Sequence, residues 1–227
     1  KLDLARLTTE RYDMKFAIAS YMQLIDDLQG RLDRYDFGIM IMTDEEIGGR
    51  NGAKMLLEEI GYRTEICMLP DGGNDWGLEV AAKGLIWLTA SAQGKTAHGS
   101  RPWEGENAIE KMMLFVTAMQ RELFADQGPD TSTCSVNSIK GGVVPNQLPD
   151  LCQADIDIRP LDPTEQHRIF GRVQQLAELY DIQLEIHLND SAINLDLSNS
   201  YVVAFIQHIE RVRKEPVHTV RSNGGSD

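Results

Sequence analysis

The sequence predicts an α/β chain in two parts: a mostly parallel-sheet domain and, inserted into it, an antiparallel α+β domain of ferredoxin-like pattern. Three observations predict it. Apolar, strand-like runs alternate with helix-like segments over residues 13–69, as in a sheet covered on both faces. Residues 85–188 read β-α-β-β-α-β, the split βαβ order of a half-solvated sheet backed by two helices. From residue 198 the helix-then-strand style returns. The expected domains are therefore 1–84 with 189–227, and 85–188.

Residues 13–28 carry Met14, Ile18, Tyr21, Met22 and Ile25 at helical spacing. Residues 37–42 are a continuous apolar run and read as a buried strand. A helix is expected over 52–60, ending at Gly61, and a second strand over 64–69, closed by Pro70. In the insertion, 85–91 is strand-like, and 107–123 is an amphipathic helix through Ile109, Met112, Met113, Val116 and Met119. Residues 132–139 form the next strand. Residues 151–158 alternate Cys152, Ala154, Ile156 and Ile158 with Gln153, Asp155 and Asp157, the period of a strand with one wet face. Pro163 opens a helix through Phe170, Val173, Leu176 and Leu179, and 182–188 alternates again. A last helix runs through Val203, Ile206, Ile209 and Val212, before a short strand at 217–220.

Thirty-five acidic against 22 basic residues give a formal charge of −13, which disfavours nucleic acid and anionic membranes as partners. Cys67, Cys134 and Cys152 are widely spaced, with no Cys-x-x-Cys, and read as free thiols in a reducing, cytoplasmic setting. No apolar run approaches the roughly 18 residues that span a bilayer, and residues 1–4 do not resemble a signal peptide. Both ends read as cut, the first residue not being Met and the last four being Gly-Gly-Ser-Asp.

The chemistry is concentrated in carboxylates at element ends: Asp13 opening a helix, Glu45-Glu46 after the first strand, and Asp71 after the second. Adjacent glutamates repel each other and gain nothing from packing, so an arbitrary pair reads as a solvated turn. A cation that neutralises one, with the other handling a proton, gives the pair a reason. Carboxylates converging at the C-terminal edge of a sheet suit divalent ions. They lack nitrogen partners here, because no histidine lies in residues 1–97.

Six blocks then occur in order. They are Arg11-Tyr12-Asp13-Met14-Lys15, Thr43-Asp44-Glu45-Glu46-Ile47-Gly48-Gly49, Pro70-Asp71-Gly72, residues 94–102 around Thr96-Ala97-His98-Gly99-Ser100, residues 141–149 around Val144-Pro145-Asn146-Gln147, and Asp157-Ile158-Arg159-Pro160. Together they resemble the di-zinc amidohydrolases and exopeptidases that include succinyl-diaminopimelate desuccinylase, acetylornithine deacetylase and glutamate carboxypeptidase. The resemblance implies a zinc-peptidase-like catalytic domain with an inserted dimerisation lid, a homodimer, and hydrolysis of an amide bond in N-acyl amino acids or small peptides. It implies two Zn2+, with Co2+ or Mn2+ as substitutes, and a metal-bridged water. By motif, Asp13 bridges the metals, followed by a cis peptide to Met14. Glu46 and Asp71 are the other carboxylate ligands, and Glu45 is the general base. His98 reaches the partner's site to stabilise an oxyanion. Asn146, Arg159, Gly225 and Ser226 contact substrate, Arg159 by gripping a carboxylate, although an arginine ending a strand also reads as a surface ion pair. His167, His187, His208 and His218 match no motif. The family's His-x-Asp block precedes the bridging aspartate by roughly 30 residues, and its other zinc histidine follows the Gly-Ser-Asp loop. Neither lies within these 227 residues, so this piece alone is expected to hold metal poorly and to be inactive. The other reading is a non-catalytic relative or fragment that keeps the fold and the lid and binds ligand without turnover.

Overall fold

The computed structural model describes residues 15–42, 51–70 and 77–224. The chain divides into two compact units, Lys1–Gly77 with Ser226–Asp227, and Leu78–Gly225.

In the first unit, helix α1 spans Lys15–Asp27. A 3-10 turn follows at Leu32–Arg34. The helix expected over 52–60 is a short one whose core is a π-turn, Met55–Glu59, in which the Ile60 N–H donates to the Met55 carbonyl at 3.0 Å. Residues 37–42 and 64–69 do not form strands, and most of their side chains are exposed rather than buried. Their apolar character is real, but a strand exists only through a ladder partner, and neither run has one among the described residues.

The second unit opens with β1 (Leu78–Ala82), a strand not expected from the sequence. It pairs parallel with β7 (Thr219–Ser222) and antiparallel with the two-residue β6 (Ile193–Asn194), giving a mixed sheet in the order β6-β1-β7. Helix α4 (Ser200–Arg213) starts at Asn199, whose side chain accepts from the Tyr201 N–H, and stops at Lys214 in the left-handed region, φ 58°. Its inward side is Val202 with Phe205, Ile206 and Ile209; Val203 and Val212 are exposed, contrary to the expected stripe.

The insertion is the expected β-α-β-β-α-β unit. It comprises β2 (Leu85–Gln93), α2 (Ala108–Leu123), β3 (Thr133–Gly141), β4 (Leu151–Arg159), α3 (Pro163–Leu179) and β5 (Ile182–Asp190). The sheet is antiparallel in the order β3-β4-β2-β5. Alternation decides the faces: Ile86, Leu88, Ala90 and Ala92 of β2, with Cys152, Ala154, Ile156 and Ile158 of β4, turn inward. Against them pack Met112, Phe115 and Met119 of α2 and Ile169, Val173 and Leu176 of α3. Both helices begin where the sequence provides a cap. Asn107 accepts from the Ile109 and Glu110 N–H groups, and Asp162 from Glu165 with Pro163 in the first turn. Burying a side chain such as Phe115 contributes about 2–3 kcal/mol. The other face of the sheet, with Trp87, Thr89, Asp155, Asp157 and Arg159, carries no helix of this unit. No helix among the described residues is long and apolar enough to cross a membrane.

Candidate functional site

The site that the structure assembles lies at one end of the four-stranded sheet, where β2 ends at Gln93 opposite the start of β4 at Leu151. The loop leaving β2 and the loop entering β4 are stitched together there. Gly94 N–H donates to Asp150 O at 2.8 Å, Gly99 N–H to Asn146 O at 2.7 Å, and Leu148 N–H to Ala97 O at 2.8 Å. Lys95 and Glu106 exchange two bonds of 2.9 Å across the base of the same loop. Lys111 of α2 adds a side-chain tie, donating to Gln93 O at 2.9 Å and pairing with Glu106 at 2.9 Å and Asp181 at 3.0 Å. The bonds to Glu106 and then Asp181 hold its ammonium pKa above the ordinary value. The result is an open pocket of about 340 Å³ lined by Thr96, Ala97, His98, Asn146 and Gln147.

His98 is exposed on this rim but oriented. Its Nδ1 accepts the Ser100 backbone N–H at 3.2 Å and lies 2.8 Å from Ser100 Oγ. A backbone N–H donating to Nδ1 requires a lone pair there, so the neutral ring carries its proton on Nε2. Nε2 has no hydrogen-bond partner among the described residues. The loop therefore displays an oriented N–H donor beside Asn146, the geometry needed to meet a developing negative charge.

Arg159 stands at the opposite end of β4. Eight residue-to-residue steps from Leu151 to Arg159 at about 3.3 Å each place it roughly 26 Å of strand away from the Asn146 end. Its guanidinium grips Asp157, Nε to Oδ1 at 2.7 Å and Nη2 to Oδ2 at 3.0 Å. The structure thus joins His98 and Asn146 and separates both from Arg159. Ser100, Lys111 and Asp157 are supporting residues missed in the sequence. Ser100 lay within the quoted motif, and Asp157 two residues before Arg159 on one strand face was the available signal for their contact.

Asp13, Glu45, Glu46, Asp71, Gly225 and Ser226, and the Asp13–Met14 peptide, lie outside the described residues. Among the described residues, no group of three or more His, Cys, Asp or Glu side chains could hold a metal ion. Burial, with Asp157 adding to it, pushes Cys134 up to about 12, and burial also raises Cys152.

Residues 80–183 match the peptidase dimerisation domain of the M20 group. The match gives this chain an M20-type peptidase dimerisation domain and covers less than half of its length. A metallohydrolase of Methanocaldococcus jannaschii is 25% identical over 179 residues, covering 73% of this chain and 44% of that protein. The N-acetyldiaminopimelate deacetylase of Listeria monocytogenes is 27% identical over 194 residues, covering 77% of this chain and 51% of its own. Among solved structures, a tripeptidase from Staphylococcus aureus superposes with TM-score 0.53 at 22% identity over 65% of this chain and 40% of that one. Aminopeptidase PepT from Bacillus cereus gives 0.54 at 20% over 66% and 40%. At these identities the structural likeness concerns the fold. The chain spans about half the length of the curated relatives it matches.

Proposed function

We propose that the protein to which this chain belongs is a metal-dependent hydrolase of amide bonds in N-acyl amino acids or small peptides, working as a homodimer. The observation that carries this reading is the His98 loop of an M20 dimerisation domain, which presents an oriented Nε2–H beside Asn146. Relatives described as a metallohydrolase, a deacetylase and carboxypeptidases support the reaction class.

Asp13, Glu46 and Asp71 would hold divalent zinc, to which their oxygen donors are suited. Bound metal would supply Lewis-acid polarisation of the amide carbonyl and a more acidic water. Glu45 takes a proton from water and delivers it to the departing amine, the role of a general base that becomes a general acid. His98 Nε2–H donates to the carbonyl oxygen as negative charge develops on it, a contact stronger in the transition state than in the ground state. Arg159 orients the substrate through a carboxylate, with Asn146, Gly225 and Ser226 as further contacts. One lid cannot bring His98 and Arg159 to the same small substrate across the length of β4. Two lids can, if His98 and Asn146 serve the partner's site while Arg159 serves its own.

The dimer surface we propose is the free edge of β3 with the adjoining part of α2, where Ile139, Met113 and Leu114 are all exposed. The test is zinc content and hydrolysis of an N-acyl-amino-acid panel by the full-length protein. Wild type should bind zinc and turn over at least one member, and Glu45→Gln should keep the zinc and lose most turnover. Equal activity of the two would remove Glu45 from the reaction.

A further inference from the structure

We infer that Asp157 is a positioning residue for the carboxylate subsite, holding Arg159 in the one orientation that leaves its end-on fork open to substrate. This rests on the reading of Arg159 as the substrate-carboxylate ligand. A guanidinium has five N–H donors. The side-on pairing to Asp157 uses Nε–H and one Nη2–H, at 2.7 and 3.0 Å. The two Nη1 hydrogens and the outer Nη2 hydrogen remain, and Nη1 with Nη2 form the second fork through which arginine takes a carboxylate in two parallel bonds. The ion pair therefore fixes Arg159 without filling it.

The clamp is itself anchored. Asp157 and Trp87 are direct cross-strand partners on β4 and β2, and the Trp87 indole N–H donates to Asp157 Oδ2 at 2.7 Å. Both Asp157 oxygens are thus committed, one to Nε and one shared between Nη2 and the indole. The Asp157 and Arg159 side chains are only 16% and 26% exposed, so the pair is shielded in a way most surface ion pairs are not. An unclamped arginine samples many rotamers, and ordering them would oppose binding. A fork already aimed and held on a strand avoids that cost. An alternative role for Asp157, simply dampening the arginine's charge, predicts the opposite sign: removing the acid would then tighten carboxylate binding.

The experiment uses the full-length, metal-loaded protein, an N-acyl amino acid that it hydrolyses, and the α-carboxamide of that compound. Asp157→Asn should raise KM for the acid roughly tenfold, with kcat within about twofold and KM for the carboxamide unchanged. Trp87→Phe keeps an aromatic ring and all charges but removes the indole donor. It should shift KM for the acid the same way by about two- to fivefold. A KM for the acid that is unchanged or lower in Asp157→Asn, or equal shifts on acid and carboxamide, would overturn the positioning role. If Asp157→Asn fails to fold, Trp87→Phe decides by the same criteria. Arg159→Ala separates the two claims. If it leaves the ratio of acid to carboxamide KM as in wild type, the carboxylate reading itself fails. If it changes that ratio while Asp157→Asn and Trp87→Phe do not, only the present inference fails. A protein that hydrolyses no member of the panel removes both.

Discussion

Gly94→Ala tests whether the His98 loop is held as tightly as its hydrogen bonds imply. A Cβ at position 94 would collide with the Glu106 carbonyl oxygen and lie 2.9 Å from the Ala108 nitrogen and 3.0 Å from the Pro149 oxygen. All three are backbone atoms, so no side chain can rotate away, and the end of β2 must separate from residues 106–108 and 149. Such overpacking costs about 1–3 kcal/mol. The shift also strains the bonds at this junction, namely Gly94 to Asp150, the Lys95–Glu106 pair, and Ala108 to Pro149. Losing one or two of them adds about 1–2 kcal/mol. A total of about 2–5 kcal/mol corresponds to a fall in Tm of roughly 5–15 °C for a chain of this size. Thermal unfolding by circular dichroism reads it directly. Gly171→Ala is the matched control. It lies inside α3 with nothing within 4 Å of the added carbon, and should raise stability by about 0.5–1 kcal/mol. A Gly94→Ala melt within about 1 °C of wild type would refute the close-packed junction inferred from that geometry.

Two further outcomes follow from the surface of α2 and the wet face of the sheet. Introducing charge on the exposed face of α2, as Met113→Glu with Leu114→Glu, should convert a dimer to a monomer in sedimentation while leaving helix content unchanged, because neither side chain packs in the core. Hydrogen bonds from Thr89 and then Ser138 hold the Asp155 carboxyl below its ordinary value of 3.8. A depressed folded pKa contributes stability that is present above the ordinary value and is lost as pH falls through the lower, folded one. Asp155→Asn should therefore flatten the acid limb of the unfolding curve below about pH 4, read by denaturant titration across that range.

The insertion was legible because two periods and two caps agree. Alternation from Cys152 to Ile158 states which face of β4 is dry, and Asn107 and Asp162-Pro163 announce their helices. The runs 37–42 and 64–69 were misleading on both counts: most of their side chains are exposed, and a strand needs a partner that composition cannot name. β1 escaped notice for the converse reason. It is defined by parallel pairing with β7, some 140 residues downstream. Within the site, the motif around His98 lies on the loop that the structure brings beside Asn146, but the tautomer depends on Ser100 folding back onto Nδ1. That contact is a matter of loop geometry. The distance between Asn146 and Arg159 was in principle readable, since nine consecutive strand residues from Leu151 to Arg159 place them at opposite ends.

That separation leads to the measurement most direct for the account as a whole, subunit complementation in the full-length protein. Glu45→Gln and His98→Ala should each be nearly inactive alone, the latter by about 10²–10³ in kcat. After mixing and reassortment, about half of the dimers are heterodimers. Each would pair an intact Glu45 in one subunit with an intact His98 from the other, restoring one of its two sites and about a quarter of wild-type activity. Recovery near that level is the predicted result. No recovery, with heterodimers shown to have formed, would contradict a site completed by the partner's lid.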